Sequence, residues 1–273
     1  MRKRKCHAYE VPEIGLGTNN SFDIRTASDL DDRKDLLLKT RDLGAALIDS
    51  SPVYQEVEKV IGKALPDDKS DYMISTKVWT SGKRAGLNQI IQSFAFLQAP
   101  FIHFLHVHNM LDWETHIETI EKMQDDGKVG LAAISNSNSS NAFPEMIEVM
   151  ETERVQVVQV PYNILDQKAA EEIFPVAEKY SQGVMIMMPF NQGSLFRFKR
   201  RSKIDMEPLE AIGIKTWSQA LLAWILTDDR ISCVFPATIN IDHLIENIGA
   251  SGLPKLDDDL KKHVESEAAR CLV

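Results

Sequence analysis

No stretch of this sequence approaches the ~18 consecutive apolar residues that a membrane-spanning helix needs. The opening Met1-Arg2-Lys3-Arg4-Lys5 resembles the basic start of an export signal, but Cys6, His7, Ala8, Tyr9 and Glu10 follow instead of an apolar segment. Residues 1–13 therefore read as a solvated tail, and no membrane partner is expected. Cysteine is scarce. Cys6, Cys233 and Cys271 are odd in number, far apart and form no CxxC pair, which speaks against a disulfide framework or a zinc ribbon. A reducing, cytoplasmic setting fits that usage. Positive charge is not in excess either: 31 Lys and Arg face 40 Asp and Glu, for a formal net charge of −9. A field of that sign argues against nucleic acid as the partner.

What is present is ordinary globular material. The 273 residues are 44% hydrophobic and 26% charged, enough for the core of one large domain. Short apolar, β-branched runs alternate with longer amphipathic stretches. The runs at 14–18, 45–51, 72–79, 101–109, 129–136, 155–163, 183–189 and 231–238 predict strands. The intervals 31–43, 112–126, 168–180 and 215–226 predict helices. Eight strands, each followed by a helix-sized segment, predict parallel βαβ units and a single-domain (β/α)8 TIM barrel over 1–273. An open doubly wound sheet is the alternative, but Gly15-Leu16-Gly17-Thr18-Asn19-Asn20 lacks the third glycine of a phosphate-binding fingerprint. The connection 190–214 is long and carries Arg197, Lys199, Arg200, Arg201 and Lys203. It reads either as a solvated loop or as a lid over an anionic cofactor at the catalytic face.

Barrel enzymes place their chemistry at the C-terminal strand ends. Asp49 ends the second predicted strand, Lys77 lies near the end of the third, His108 ends the fourth, and Tyr54 follows Asp49 in the next turn. Lys77 sits in the otherwise apolar Ile74-Ser75-Thr76-Lys77-Val78-Trp79. A closed barrel has no edge strand, so a buried ammonium there needs a partner, and Asp49 on the adjacent strand is the candidate. A purely structural ion pair is the alternative. Beside an ammonium a phenol's pKa is expected to fall, which would suit Tyr54 to proton donation. His108 could orient a substrate oxygen. His106 and His108 also form an HxH pair, as in metal-dependent hydrolases. The ends of strands five, six and eight offer Ser135-Asn136, Tyr162-Asn163 and Pro236-Ala237-Thr238, with no carboxylate or histidine to complete a metal site.

From about Ile14 to Asn247 the sequence resembles the aldo-keto reductases. The resemblance rests on Gly44-Ala-Ala-Leu-Ile-Asp49-Ser-Ser-Pro-Val-Tyr54, on Ile74-Ser-Thr-Lys77, on Val107-His108-Asn109, and on Gly127-Lys128-Val129 leading to Ile134-Ser135-Asn136. It continues through Gln159, Tyr162-Asn163, Met188-Pro189-Phe190-Asn191-Gln192-Gly193-Ser194-Leu195, Pro236-Ala237-Thr238 and Glu246-Asn247. It implies an NADP-dependent oxidoreductase that reduces a small-molecule carbonyl, or oxidises the alcohol, with Asp49, Tyr54, Lys77 and His108 catalytic. NADPH is the implied cofactor, with NADH as the alternative. Thr18, Asp49, Ser135, Asn136, Gln159, Met187, Pro189, Phe190, Gly193, Leu195, Pro236, Thr238, His243, Glu246 and Asn247 would bind it. The helix after the last strand would offer its N-terminal N–H groups to the adenosine phosphate. Asn19, Trp79, Asn109 and Trp113 would wall the substrate.

Several positions depart from the family pattern. Met187 stands where an aromatic ring often stacks on the nicotinamide, and Gln55 where glycine often follows the tyrosine. Ala237 and His243 stand where basic residues often hold a 2′-phosphate. No long extension follows the last helix, which implies an open substrate pocket. Two other readings compete: a cofactor-binding barrel that acts as a sensor or regulatory subunit, and a metal-dependent hydrolase.

Overall fold

The computed structural model describes every residue except Asp23, Arg25, Asn138, Ser139, Arg200, Arg201 and Val273. Ten strands and eleven α-helices are described. The first two strands, β1 (Lys3–Cys6) and β2 (Tyr9–Pro12), form an antiparallel hairpin. The other eight are β3 (Leu16–Gly17), β4 (Leu47–Asp49), β5 (Met73–Val78), β6 (Ile102–His108), β7 (Val129–Ser135), β8 (Val157–Pro161), β9 (Gly183–Met187) and β10 (Ile231–Val234). They pair in parallel and in sequence order from β3 to β10. Parallel bridges Ile14–Val234 and Gly17–Ala237 join the first of the eight to the last, so the sheet curls into the (β/α)8 arrangement. All eight coincide with the predicted strands, with shorter ends.

The helices cover the outside. They are α1 (Ala27–Asp42), α2 (Val57–Ala64), α3 (Lys83–Leu97), α4 (Trp113–Asp125), α5 (Phe143–Glu151), α6 (Lys168–Glu172), α7 (Phe174–Lys179), α8 (Glu207–Glu210), α9 (Trp217–Leu226), α10 (Ile241–Ile248) and α11 (Asp258–Cys271). Their starts follow local chemistry. Thr26 and Asp29 form a reciprocal capping box on α1, while Thr216 and Asp257 cap α9 and α11 with their side chains. The predicted helix 168–180 is broken in two at Ile173, because Pro175 occupies the first turn of the second piece. No helix among the described residues is long and apolar enough to cross a membrane.

Period-two alternation divides each strand between two cores. Ile48, Ile74, Leu105, Ile134, Val158 and Ile186 face the helices. Leu47, Phe104, Leu131, Ala133, Val157, Met185 and Cys233 form a separate cluster that fills the lower barrel interior. Cys6 and Val11 of the hairpin belong to that inner cluster. This corrects the expectation of a solvated tail at 1–13. The hairpin closes the N-terminal end of the barrel because its two inward side chains complete the interior. Arg4 locks it there: its guanidinium bonds Glu13 and the carbonyls of Leu226, Asp228 and Ile231.

Candidate active site

Toward the C-terminal end the same inward alternation turns polar. Leu47 is followed by Asp49, Ser75 by Lys77, Phe104 by His106 and His108, Ala133 by Ser135, and Val157 by Gln159. Strand register sets His106 beside Lys77, Ser135 beside His108 and Gln159 beside Ser135. Lys77, 1% exposed, donates to both carboxylate oxygens of Asp49 at 2.9 Å and to the Ser50 carbonyl at 2.8 Å. Burial alone would raise the Asp49 carboxyl, but Lys77, His106 and the Ser75 hydroxyl overcome it and hold the group below its ordinary value.

Tyr54 sits in the turn between β4 and α2, with the Lys77 ammonium 5.9 Å from its ring centroid. Gln55 takes a left-handed φ of 59° here, the conformation for which glycine is the usual choice. The Tyr54 phenol is raised above its ordinary value: burial lifts it, Lys77 pulls it down by less, and Asp49 adds to the rise. The expected fall is thereby corrected, because burial of the phenol outweighs the pull of Lys77, and the Asp49 carboxylate beside Lys77 adds to the rise. His108 is pushed down to about 4, chiefly by burial and then by Lys77, so its ring is neutral at physiological pH. Its Nδ1 lies 2.9 Å from Ser135 Oγ, and the Trp79 ring meets it edge-on at 6.3 Å.

Asp49, Tyr54 and His108 open onto a cavity of about 570 Å³. Its floor includes Phe235, one wall Gly17–Ser21, and another Met187–Phe190 with Gln192, Gly193 and Phe196. Gln159 lies behind it, with both amide atoms buried and unpartnered. A buried primary amide with no partner is costly unless a ligand completes it. The model of the Aldo/keto reductase family matches residues 13–267. The chain belongs to the aldo/keto reductase family. An uncharacterised oxidoreductase, YqkF of Bacillus subtilis, is 20% identical over 302 residues, covering 97% of this chain and 96% of its own. The aldo-keto reductase YhdN of the same organism is 26% identical over 158 residues, 50% of this chain and 45% of its own. Among solved structures, a Klebsiella pneumoniae aldo/keto reductase in complex with NADP and acetate superposes with a TM-score of 0.82 at 23% identity. That match covers 98% of this chain and 95% of the other. A Klebsiella pneumoniae aldo-keto reductase in complex with NADPH gives 0.80 at 22% identity, covering 98% and 96%.

Within this family member, the cavity gathers Thr18, Asn19, Asp49, Tyr54, His108, Met187, Pro189, Phe190, Gly193 and Thr238 of the predicted site. Ser135, Asn136 and Gln159 stand behind that lining rather than in it. Leu195 and Pro236 are buried. Asn109 is turned toward Ser137, accepting from its N–H and its hydroxyl. Trp79 is 44% exposed, with its backbone N–H and carbonyl both bonded by the Gln89 amide, and Trp113 packs against the outer core. His106 and His108 bond in different directions, to Ser75 and Ser135. No group of three potential metal ligands occurs among the described residues.

The 190–214 connection divides in function. Its start, through Phe196, lines the cavity. Beyond it, Phe198 bridges Leu272, Lys199 bonds the carbonyls of Arg270 and Cys271, and Asp205 bonds Glu267, all in the C-terminal segment. Arg200 and Arg201 lie outside the described residues. At α10, the Asn240 side chain already accepts from the N–H groups of Asp242 and His243, two of those expected to meet a phosphate. Glu246 accepts from the Ser218 hydroxyl, tying α10 to α9. The sequence reading passed over Ser137, Phe196, Phe235 and Ile239 of the lining, and Ser75 beneath Asp49. For Ser75 and Phe235 a signal existed: each lies two residues from an inward-facing neighbour, Lys77 or Cys233.

Proposed function

We propose that this protein reduces an aldehyde or ketone with NADPH, using Tyr54 as the proton donor. The observation behind the proposal is a single cavity lined by Tyr54, neutral His108 and Asp49, with buried Lys77 bonded to Asp49. A carbonyl oxygen in that cavity would accept from the Tyr54 hydroxyl and from His108 Nε2–H. In that tautomer Nδ1, 2.9 Å from Ser135 Oγ, would accept the Ser135 hydroxyl hydrogen. When bound, the reduced nicotinamide supplies hydride to the carbonyl carbon. As charge develops on the oxygen, Tyr54 transfers its proton, and Lys77 stabilises the tyrosinate until solvent restores the proton. A phenol kept protonated by burial is suited to this direction.

The residues fit a nicotinamide cofactor. The unpartnered Gln159 amide, with Ser135 and Asn136, would hold its carboxamide. Met187 would pack on the ring, and Pro189, Phe190, Gly193 and Leu195 belong to the segment that would cross the pyrophosphate. Thr18 would close the near side. Pro236, Thr238, His243, Glu246 and Asn247 would take the adenosine end, with Glu246 exchanging its bond to Ser218. Asn19, Trp79, Asn109 and Trp113 would shape the substrate side. NADH is the second reading, favoured by one observation: no lysine or arginine lines the cavity among the described residues.

Purified protein should oxidise NADPH in the presence of reactive aldehydes or quinones, and parallel titration with NADH measures the preference. Absence of oxidation across an aldehyde and quinone panel, with cofactor bound, would favour the sensor reading instead.

A further inference from the structure

The Lys77–Asp49 pair does not stand alone. Below it, Ser75 Oγ lies 2.7 Å from Asp49 Oδ1 and 3.1 Å from His106 Nε2, and both Ser75 and His106 are 0% exposed. A serine hydroxyl has one hydrogen, and an ionised carboxylate can only accept. Ser75 therefore donates to Asp49, so its oxygen must accept from His106. That makes Nε2 the protonated ring nitrogen. The donors run one way: His106 Nε2–H to Ser75, Ser75 O–H to Asp49, and Lys77 to Asp49 from the other side.

We propose that Ser75 and His106 are positioning residues for the reduction, fixing Asp49, and through it Lys77, behind Tyr54. The proposal rests on the carbonyl-reductase reading for its effect on turnover, but the hydrogen-bond order stands apart from it. The Ser75 donor holds Asp49 Oδ1 in place and takes up part of its charge. Asp49 then neutralises less of Lys77, which leaves more of the ammonium's field for the nearby phenol. Without the hydroxyl, Asp49 leans wholly on Lys77 and the tyrosinate loses stabilisation. His106 serves as a donor that does not switch: burial, then Lys77, push it down to about 3 against the opposing pulls of Asp49 and of the Ile134 backbone, with His108 adding slightly.

Two measurements on the full chain test this. Ring nitrogen NMR of wild type, with His106→Gln to assign the signal, should show His106 protonated at Nε2 alone across the neutral range. A proton on Nδ1, or a charged ring, overturns the order of donors. Steady-state kinetics then compare Ser75→Ala with Ser75→Thr and His106→Leu with His106→Gln. Ser75→Ala and His106→Leu should each lower kcat about three- to tenfold with KM for the carbonyl nearly unchanged. Ser75→Thr keeps the hydroxyl and His106→Gln keeps an N–H donor, so both should recover most of the loss. Wild-type kcat in the alanine and leucine variants, or equal losses in all four, overturns the positioning role. If wild type itself oxidises no NADPH, the reductase reading fails, while the ring spectrum still decides the donor order.

Discussion

The barrel holds a largely buried ion pair at each end, and the two are finished differently. At the N-terminal end Arg4 meets Glu13, and every other contact of the guanidinium goes to backbone carbonyls of residues 226, 228 and 231. Glu13 also accepts from the Gly252 N–H. The pair is consumed in fastening the hairpin and borders a cavity of only about 10 Å³. At the C-terminal end Lys77 meets Asp49, but the neighbours Tyr54 and His108 face open space, and the Gln159 amide nearby has no partner. Saturation of its polar groups marks the structural pair, although the Gln182 side-chain oxygen, just before β9, is also left without a partner. Polar groups left over mark the end that awaits a ligand.

The largest test of that contrast is Tyr54→Phe. It should lower turnover by about 10²–10⁴-fold, the usual contribution of a positioned acid, while the melting temperature stays near wild type. Unchanged turnover would remove Tyr54 from the chemistry. The complementary change is Arg4→Ala, which leaves Glu13 buried without its partner. It should cost about 3–5 kcal/mol of stability by denaturant titration, with kcat per folded molecule unaltered. A variant as stable as wild type would make the lower pair incidental.

Acid should erode both ends. His108 at the top and His103 at the bottom are each pushed down to about 4 by burial, and His106 to about 3, from an ordinary value of 6.5. His103 also accepts the Ile74 N–H at Nδ1, a bond that a charged ring cannot make. Their neutral forms favour the folded state fully above about pH 6.5, and that advantage is lost as the pH falls through the folded values. Asp49, depressed by its partners, extends the loss further into acid. Melting temperature should therefore decline from about pH 6.5 downward, and a flat profile to about pH 4 would contradict the burial of these rings. The smallest expected effect is at the hairpin seal. A methyl at Gly130 would lie 2.5 Å from Tyr9 Oη and 2.7 Å from the His103 carbonyl, so Gly130→Ala should cost about 1–3 kcal/mol with activity retained.

The sequence made the eight barrel strands legible because each is a short, mostly apolar run set off by polar turns, and both faces of each strand are covered. The hairpin was not legible. Lys3, Lys5 and Glu10 give it a solvent-facing composition, and only Cys6 and Val11 among its ten residues fill the interior cluster. Its turn has His7 at a φ of 52° rather than a glycine, so the usual hairpin signal is missing. The tetrad stood out because an ammonium in an apolar strand demands a partner. His106 stood out only as half of an HxH pair, and Ser75 shared the inward face of Lys77 without showing that it would lie between Asp49 and His106.

By itself the sequence determined that polar groups gather at one end of the barrel. Side chains alternate along a strand with period two, so Leu47 then Asp49, Phe104 then His106 and His108, and Val157 then Gln159 must rise along the same inner face. Only the tertiary structure decided what each group meets and in which protonation state. Register sets Lys77 beside His106 and Asp49 beside Ser75. Burial outweighs the pull of Lys77 on Tyr54. Desolvation and hydrogen-bond direction depend on distances across strands, and those exist only once the sheet has closed.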